Sequence, residues 1–120
     1  MFIIYSTRLL RALAPWFSGI GGLTIFPFVI LREEMRGTAE AMVTINHERI
    51  HIRQQIELLL VFFAVWYAAS FLYGRLRGRS WYDSYRNIIF EREAFDRMYD
   101  PDYLKSRKLF SFLKYRTKAS

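Results

Sequence analysis

The sequence predicts a compact α+β domain, mostly helical, with a small β-hairpin beside one long helix. Three observations carry that expectation. A chain of 120 residues can build one hydrophobic core and not two. Its composition, 52% hydrophobic and 18% aromatic, is too apolar for a disordered chain. Finally, a run rich in Ile, Phe and Val at 23–31 precedes a stretch from Asn46 that meets no Gly or Pro until Gly74.

The elements follow in order. Residues 1–13 read as a short helix. Arg8 and Arg11 interrupt its apolar run, and no small-residue cleavage site follows, so it lacks the layout of a signal peptide. The uncharged run from Trp16 to Leu31 is broken by Gly19, Gly21, Gly22 and Pro27, which argues against a spanning helix. Gly21-Gly22 signals a turn. Residues 23–31 read as a strand that Pro27 confines to an edge or a bulge. The polar stretch 32–40 reads as a loop, and 41–45 as the second strand of the hairpin. Thr44 or Asn46 can cap the helix that follows. Gly74 and Gly78 mark its end, and Ser80 with Asp83 has the spacing of a capping box for a helix over 81–98, ended by Asp100-Pro101. Residues 103–115 suggest one more short helix. The whole chain, 1–120, reads as one domain with a basic tail from about residue 103.

From Leu58 to Gly74 there is no charged residue, and Arg75, Arg77 and Arg79 follow directly. Those 17 residues are at the lower limit for crossing a bilayer, and the arginines suit a cytoplasmic boundary. Two readings stay open here: a membrane-associated helix and a fully buried central one. The formal charge is +7, of which +6 falls in the last 18 residues, where there is no acid. Leu104, Leu109, Phe110, Phe112 and Leu113 are interleaved with those cations. Such a tail suits an anionic membrane surface, or else docks its aromatics on the core. No motif for nucleic-acid recognition accompanies it, so nucleic acid is not an expected partner.

The chemistry is concentrated in His47-Glu48-Arg49-Ile50-His51, an instance of H-E-x-x-H that contains both histidines of the chain. Residues four apart on a helix share one face, so both imidazoles can reach one tetrahedral Zn2+. Glu48 is turned roughly 60° from His51 about the axis, placed to act on water without being a ligand. A catalytic zinc site needs a third protein ligand. With no cysteine and no further histidine, it must be a carboxylate. Glu91, Glu93 and Asp96 are on offer in the run FEREAFD. Glu91 shares a helical face with Ile88, Ala94 and Phe95 and should point inward, where a dication would compensate its charge. Glu93 shares a face with Asp96 and Arg97 and reads as solvated. Tyr82, Tyr85 and Arg86 lie on the same helix as possible electrophiles, although none can be assigned.

HERIHIRQQ, His47 to Gln55, is similar to the HExxHxxQQ form of small zincin-like domains, and EREAF, Glu91 to Phe95, resembles their second ligand segment. Together they resemble the gluzincin type of zinc metallopeptidase over about residues 23–115. The resemblance implies a zincin-like fold, with zinc on His47, His51 and Glu91, Glu48 as general base, and a peptide or protein substrate. It also implies an aspartate where this chain has Phe95; that aspartate usually accepts a hydrogen bond from a zinc-binding histidine. Asp96, Gln54, Gln55 or a backbone carbonyl would have to replace it. Two other classes stay open: a small membrane-associated protein that keeps the zinc site for structure or has lost activity, and a non-enzymatic basic membrane or nucleic-acid binder in which HERIH is accidental.

Overall fold

A computed structural model of the chain describes residues 1–15 and 21–116. Residues 16–20 and 117–120 lie outside the described residues, and with them the start of the uncharged run and Lys118 of the basic tail. The architecture is α+β and mostly helical. Three short strands, β1 Phe2–Tyr5, β2 Gly22–Ile25 and β3 Phe28–Leu31, form a sheet in the order β1-β3-β2. β1 runs parallel to β3, and β2 antiparallel to it with Leu23 opposite Ile30.

The N-terminal expectation is corrected in part. Phe2–Tyr5 is a strand, and helix α1, Thr7–Leu13, starts only after Ser6, whose hydroxyl accepts from the Leu9 N–H at 3.1 Å. The hairpin is also placed differently. The strand expected over 23–31 folds back at Phe26-Pro27 into β2 and β3, so proline sits in the turn, where its missing N–H costs nothing. Residues 41–45 are not its partner. They lie in helix α2, Ala39–Leu76, capped by Thr38, whose hydroxyl accepts from the Ala41 N–H at 3.1 Å. The β-branched Val43, Thr44 and Ile45 suggest a strand, but the cap and the packing of Ile45 against Val29, Leu31 and Ile52 override that weak preference. Asn46 does not cap α2. Its amide donates to the carbonyls of Met98 and Asp100, at 2.9 and 2.8 Å, beyond the end of a later helix.

α2 is not one rod. Leu59 has φ 57° and ψ 146°, which breaks it into an amphipathic first part carrying HERIH and an apolar second part over 60–76. Such a conformation costs a non-glycine residue about 1–3 kcal/mol. Leu59 is exposed and loses little contact when truncated. Leu59→Gly is therefore expected to stabilise the fold by about 1 kcal/mol, read as a higher midpoint in chemical denaturation.

The helix expected over 81–98 is two helices, α3 Trp81–Arg86 and α4 Ile89–Arg97. The Ser80 cap forms as the sequence suggests, accepting from the Asp83 N–H at 3.0 Å. Asn87 ends α3 by donating to the Asp83 carbonyl at 2.8 Å, which frees α4 to start in a new direction. Gly74 lets 60–76 approach α3, since a Cβ there would lie 3.0 Å from Ser84. The main core joins Phe63 to Ile88, Ile89, Phe90 and Phe112. The region expected as one helix over 103–115 contains α5, Tyr103–Ser106, and a 3-10 turn, Ser111–Tyr115. Tyr103, Arg107 and Phe112 are buried, so this part of the basic tail docks on the core.

Candidate metal centre

The first part of α2 places His47 and His51 one turn apart with their Nε2 atoms 3.2 Å from each other. Glu91, in the first turn of α4, brings its Oε1 to 3.0 Å from both nitrogens. Ligand atoms bound at about 2.0–2.1 Å in tetrahedral geometry stand roughly 3.3 Å apart, so this triangle has the size of a site for a metal ion bound at such distances. All three side chains are buried, and His47, His51 and Glu91 form a group able to hold a metal ion.

The atoms behind the triangle fix its orientation. His51 Nδ1 pairs with Gln54 Oε1 at 2.7 Å. An amide oxygen only accepts, so Nδ1 carries a proton, and Nε2, which faces Glu91, is the nitrogen that would give its lone pair to a metal ion in place of its own proton. Gln54 therefore stands where the resemblance implies an aspartate. Asp96 and Gln55 do not take that role: Asp96 is exposed and accepts from Tyr115 at 2.6 Å, while Gln55 donates to the Thr24 carbonyl at 2.9 Å and accepts from the Phe26 N–H at 2.7 Å. Phe95 packs edge-on against His47, with ring centroids 4.5 Å apart. The Tyr67 hydroxyl donates to Glu91 Oε2 at 2.7 Å, which leaves Oε1 to face the imidazoles.

Glu93 contradicts the expectation of a solvated residue. It is fully buried and accepts from Gln54 Nε2 at 2.7 Å, from Tyr103, and from Arg107 Nε at 2.7 Å. Arg107 in turn donates to both oxygens of Glu57, at 2.7 and 3.0 Å. A chain of contacts thus runs from His51 through Gln54 and Glu93 to Arg107. Gln54→Met would keep most of the volume and remove the acceptor. It is expected to weaken metal binding by about 10–100-fold in a competition titration, and an unchanged affinity would dismiss the role given to Gln54.

Glu48 is buried against β2, where the Thr24 hydroxyl donates to its carboxylate. Gly22 makes that position possible, because a Cβ there would lie 3.2 Å from Glu48 Oε1. Glu48, His51 and Glu91 all line one cavity of about 550 Å3. Its walls are β2 on one side and Leu60, Phe63, Ala64, Ala68 and Phe71 on the other. Of the three residues on α3 considered as electrophiles, only Tyr85 lines this cavity. Tyr82 is exposed, and Arg86 lies 3.8 Å above the Phe95 ring.

The electrostatics favour positive charge between the imidazoles. Burial pulls the His51 pKa down, but the Glu91 carboxylate outweighs it and holds the group up at about 9. Burial pushes Glu91 up, and His51 and His47 more than offset this, leaving it well below the usual carboxylate range. Burial, then Glu91 and Glu48, raises the Tyr85 phenol well above its ordinary value, so it stays a donor.

Sequence reasoning missed Tyr67, Thr24 and the Glu93–Arg107 pair. Gln54 had a local signal, three residues after His51 in HERIHIRQQ. Tyr67 had none, since its place depends on the break at Leu59. Comparison with family models, curated proteins and solved structures finds no match to this chain.

Proposed function

We propose that this chain is a zincin-like zinc metallopeptidase of the gluzincin type, which hydrolyses peptide bonds. The observation that carries the reading is the buried triangle of His47 Nε2, His51 Nε2 and Glu91 Oε1, with Glu48 on the wall of the adjoining cavity. His47, His51 and Glu91 would hold the zinc. When bound, zinc supplies Lewis acidity, lowering the pKa of water towards neutrality and polarising a carbonyl. Glu48 accepts the proton of the attacking water and passes it to the leaving amine. Tyr85, a protonated phenol on the cavity wall, is placed to donate to the developing oxyanion. β2 is an edge strand of the sheet and its residues line the cavity; an extended substrate would lie along it, next to the Thr24 carbonyl that Gln55 already holds.

Phe95 favours a second reading, in which the centre holds zinc without turnover. Cleavage separates the two. Zinc-loaded protein is expected to cut members of a peptide library rich in apolar residues, as read by mass spectrometry, with loss on chelation and recovery on adding zinc. Stoichiometric zinc with no product would leave the inactive reading.

Among the described residues, α2 is the one helix long and apolar enough to cross a membrane, by length and composition alone. With Arg75, Arg77 and Arg79 at its end, we place the protein at a membrane, on the cytoplasmic side.

A further inference from the structure

Helix 60–76 has three distinct faces. Successive residues turn roughly 100° about the axis, which puts Phe63, Tyr67 and Gly74 on one side. That side packs on α3, α4 and the 3-10 turn. A second flank, with Leu60, Ala64, Ala68 and Phe71, lines the cavity beside the metal centre. The remaining face carries Val61, Phe62, Val65, Leu72, Tyr73 and Leu76, each more than half exposed; among the described residues only Arg77 and Arg79 reach over it, at the Tyr73 ring. A patch of this kind on a folded surface marks a contact with a partner or a membrane.

Charge indicates which. The stretch from Leu58 to Gly74 is uncharged, and Arg75, Arg77 and Arg79 follow it. Trp66 meets Phe112 edge-on at 5.5 Å and carries the apolar surface across to residues 108–114. There Leu109, Phe110 and Leu113 are exposed between the exposed Lys108 and Lys114. Apolar side chains bordered by cations match an anionic lipid interface. Spanning does not fit, because α3 and α4 cover one side of the helix and bring Asp83, Arg86, Asp96 and Arg97 with them.

We propose that helix 60–76 beds in the plane of an anionic bilayer by this free face, so that the cavity opens at the lipid surface and receives an apolar peptide segment from the membrane. Ala64 and Ala68 are exposed and line the cavity, so its mouth borders the docking face; Ile25, 40% exposed, forms the opposite lip. Among the described residues, the cavity walls offer no charged group besides Glu48, His51 and Glu91, which disfavours charged substrate side chains. The docking stands on its own, whereas the peptide rests on the metallopeptidase reading.

The test is flotation of the full chain, diluted from detergent, with phosphatidylcholine vesicles that contain or lack phosphatidylglycerol. The protein is expected to float with the anionic vesicles and much less with the neutral ones. Val61→Glu with Val65→Glu should reduce flotation by about tenfold or more while zinc content stays unchanged. That variant should also lose cleavage of an apolar peptide embedded in vesicles and keep cleavage of the same peptide in solution. Ala68→Arg should float like the parent and cleave neither. His51→Ala should float normally, so failure of the zinc reading is distinguishable from failure of docking. Equal flotation with both vesicle types, or no flotation and a stable dimer in solution, would overturn the proposal.

Discussion

Glu48→Gln is expected to keep its zinc and to lose peptide hydrolysis by about 10²–10⁴-fold, the loss that follows removal of a positioned base. Glu48 is not one of the three atoms of the triangle, so the metal has no reason to leave. The amide still accepts from Thr24 and fills the same space between Gly22 and the cavity. It no longer takes a proton from water. The comparison is of kcat for parent and variant at matched zinc content, and equal turnover would dismiss Glu48 as the base.

The second large effect is on stability. Glu93→Gln should cost about 3 kcal/mol, because it leaves a buried guanidinium with only Glu57 to compensate it. That is a large part of the roughly 5–15 kcal/mol that holds a small domain together. Burial raises the Glu93 pKa, but hydrogen bonds from Arg107, Tyr103 and Gln54 outweigh it and leave it lowered. A carboxylate depressed in this way contributes stability above its unfolded pKa and loses it as pH falls through the folded one. The parent should therefore lose this contribution in acid, and the variant should show less of that pH dependence. Zinc affinity should also fall, because a neutral amide oxygen accepts from Gln54 more weakly than the carboxylate that orients it. Thermal melts across pH, with a zinc titration at neutral pH, would show both effects. A variant as stable as the parent would mean that the buried pair contributes nothing net.

Sequence and structure differ at Glu93 for an identifiable reason. By their neighbours on the same helix alone, Glu91 points inward and Glu93 outward. Glu91 is indeed buried among apolar neighbours. Glu93 is buried by residues far along the chain, Gln54 and Arg107, and Arg107 reads in the sequence as part of a solvated basic tail. Contacts set by spacing within one helix were legible; contacts between helices were not. The same limit hid the break at Leu59. The run LLLVFF opens on three leucines, good helix formers, and has no Gly or Pro, so nothing local marks a residue at positive φ. Pro27 was legible as a constraint on strand pairing, but a bulge, an edge and a turn all satisfy that constraint. The histidine pair was legible because a repeat of four residues has one meaning on a helix.

The most direct test of the metal centre is the zinc content of the purified chain after resupply with zinc and removal of excess. One zinc per chain is expected in the parent and in Glu48→Gln, with loss in His51→Ala and strong weakening in Glu91→Gln, since a neutral amide would replace an anionic ligand. Absence of zinc from the folded parent would contradict the account, as would full retention in both ligand variants.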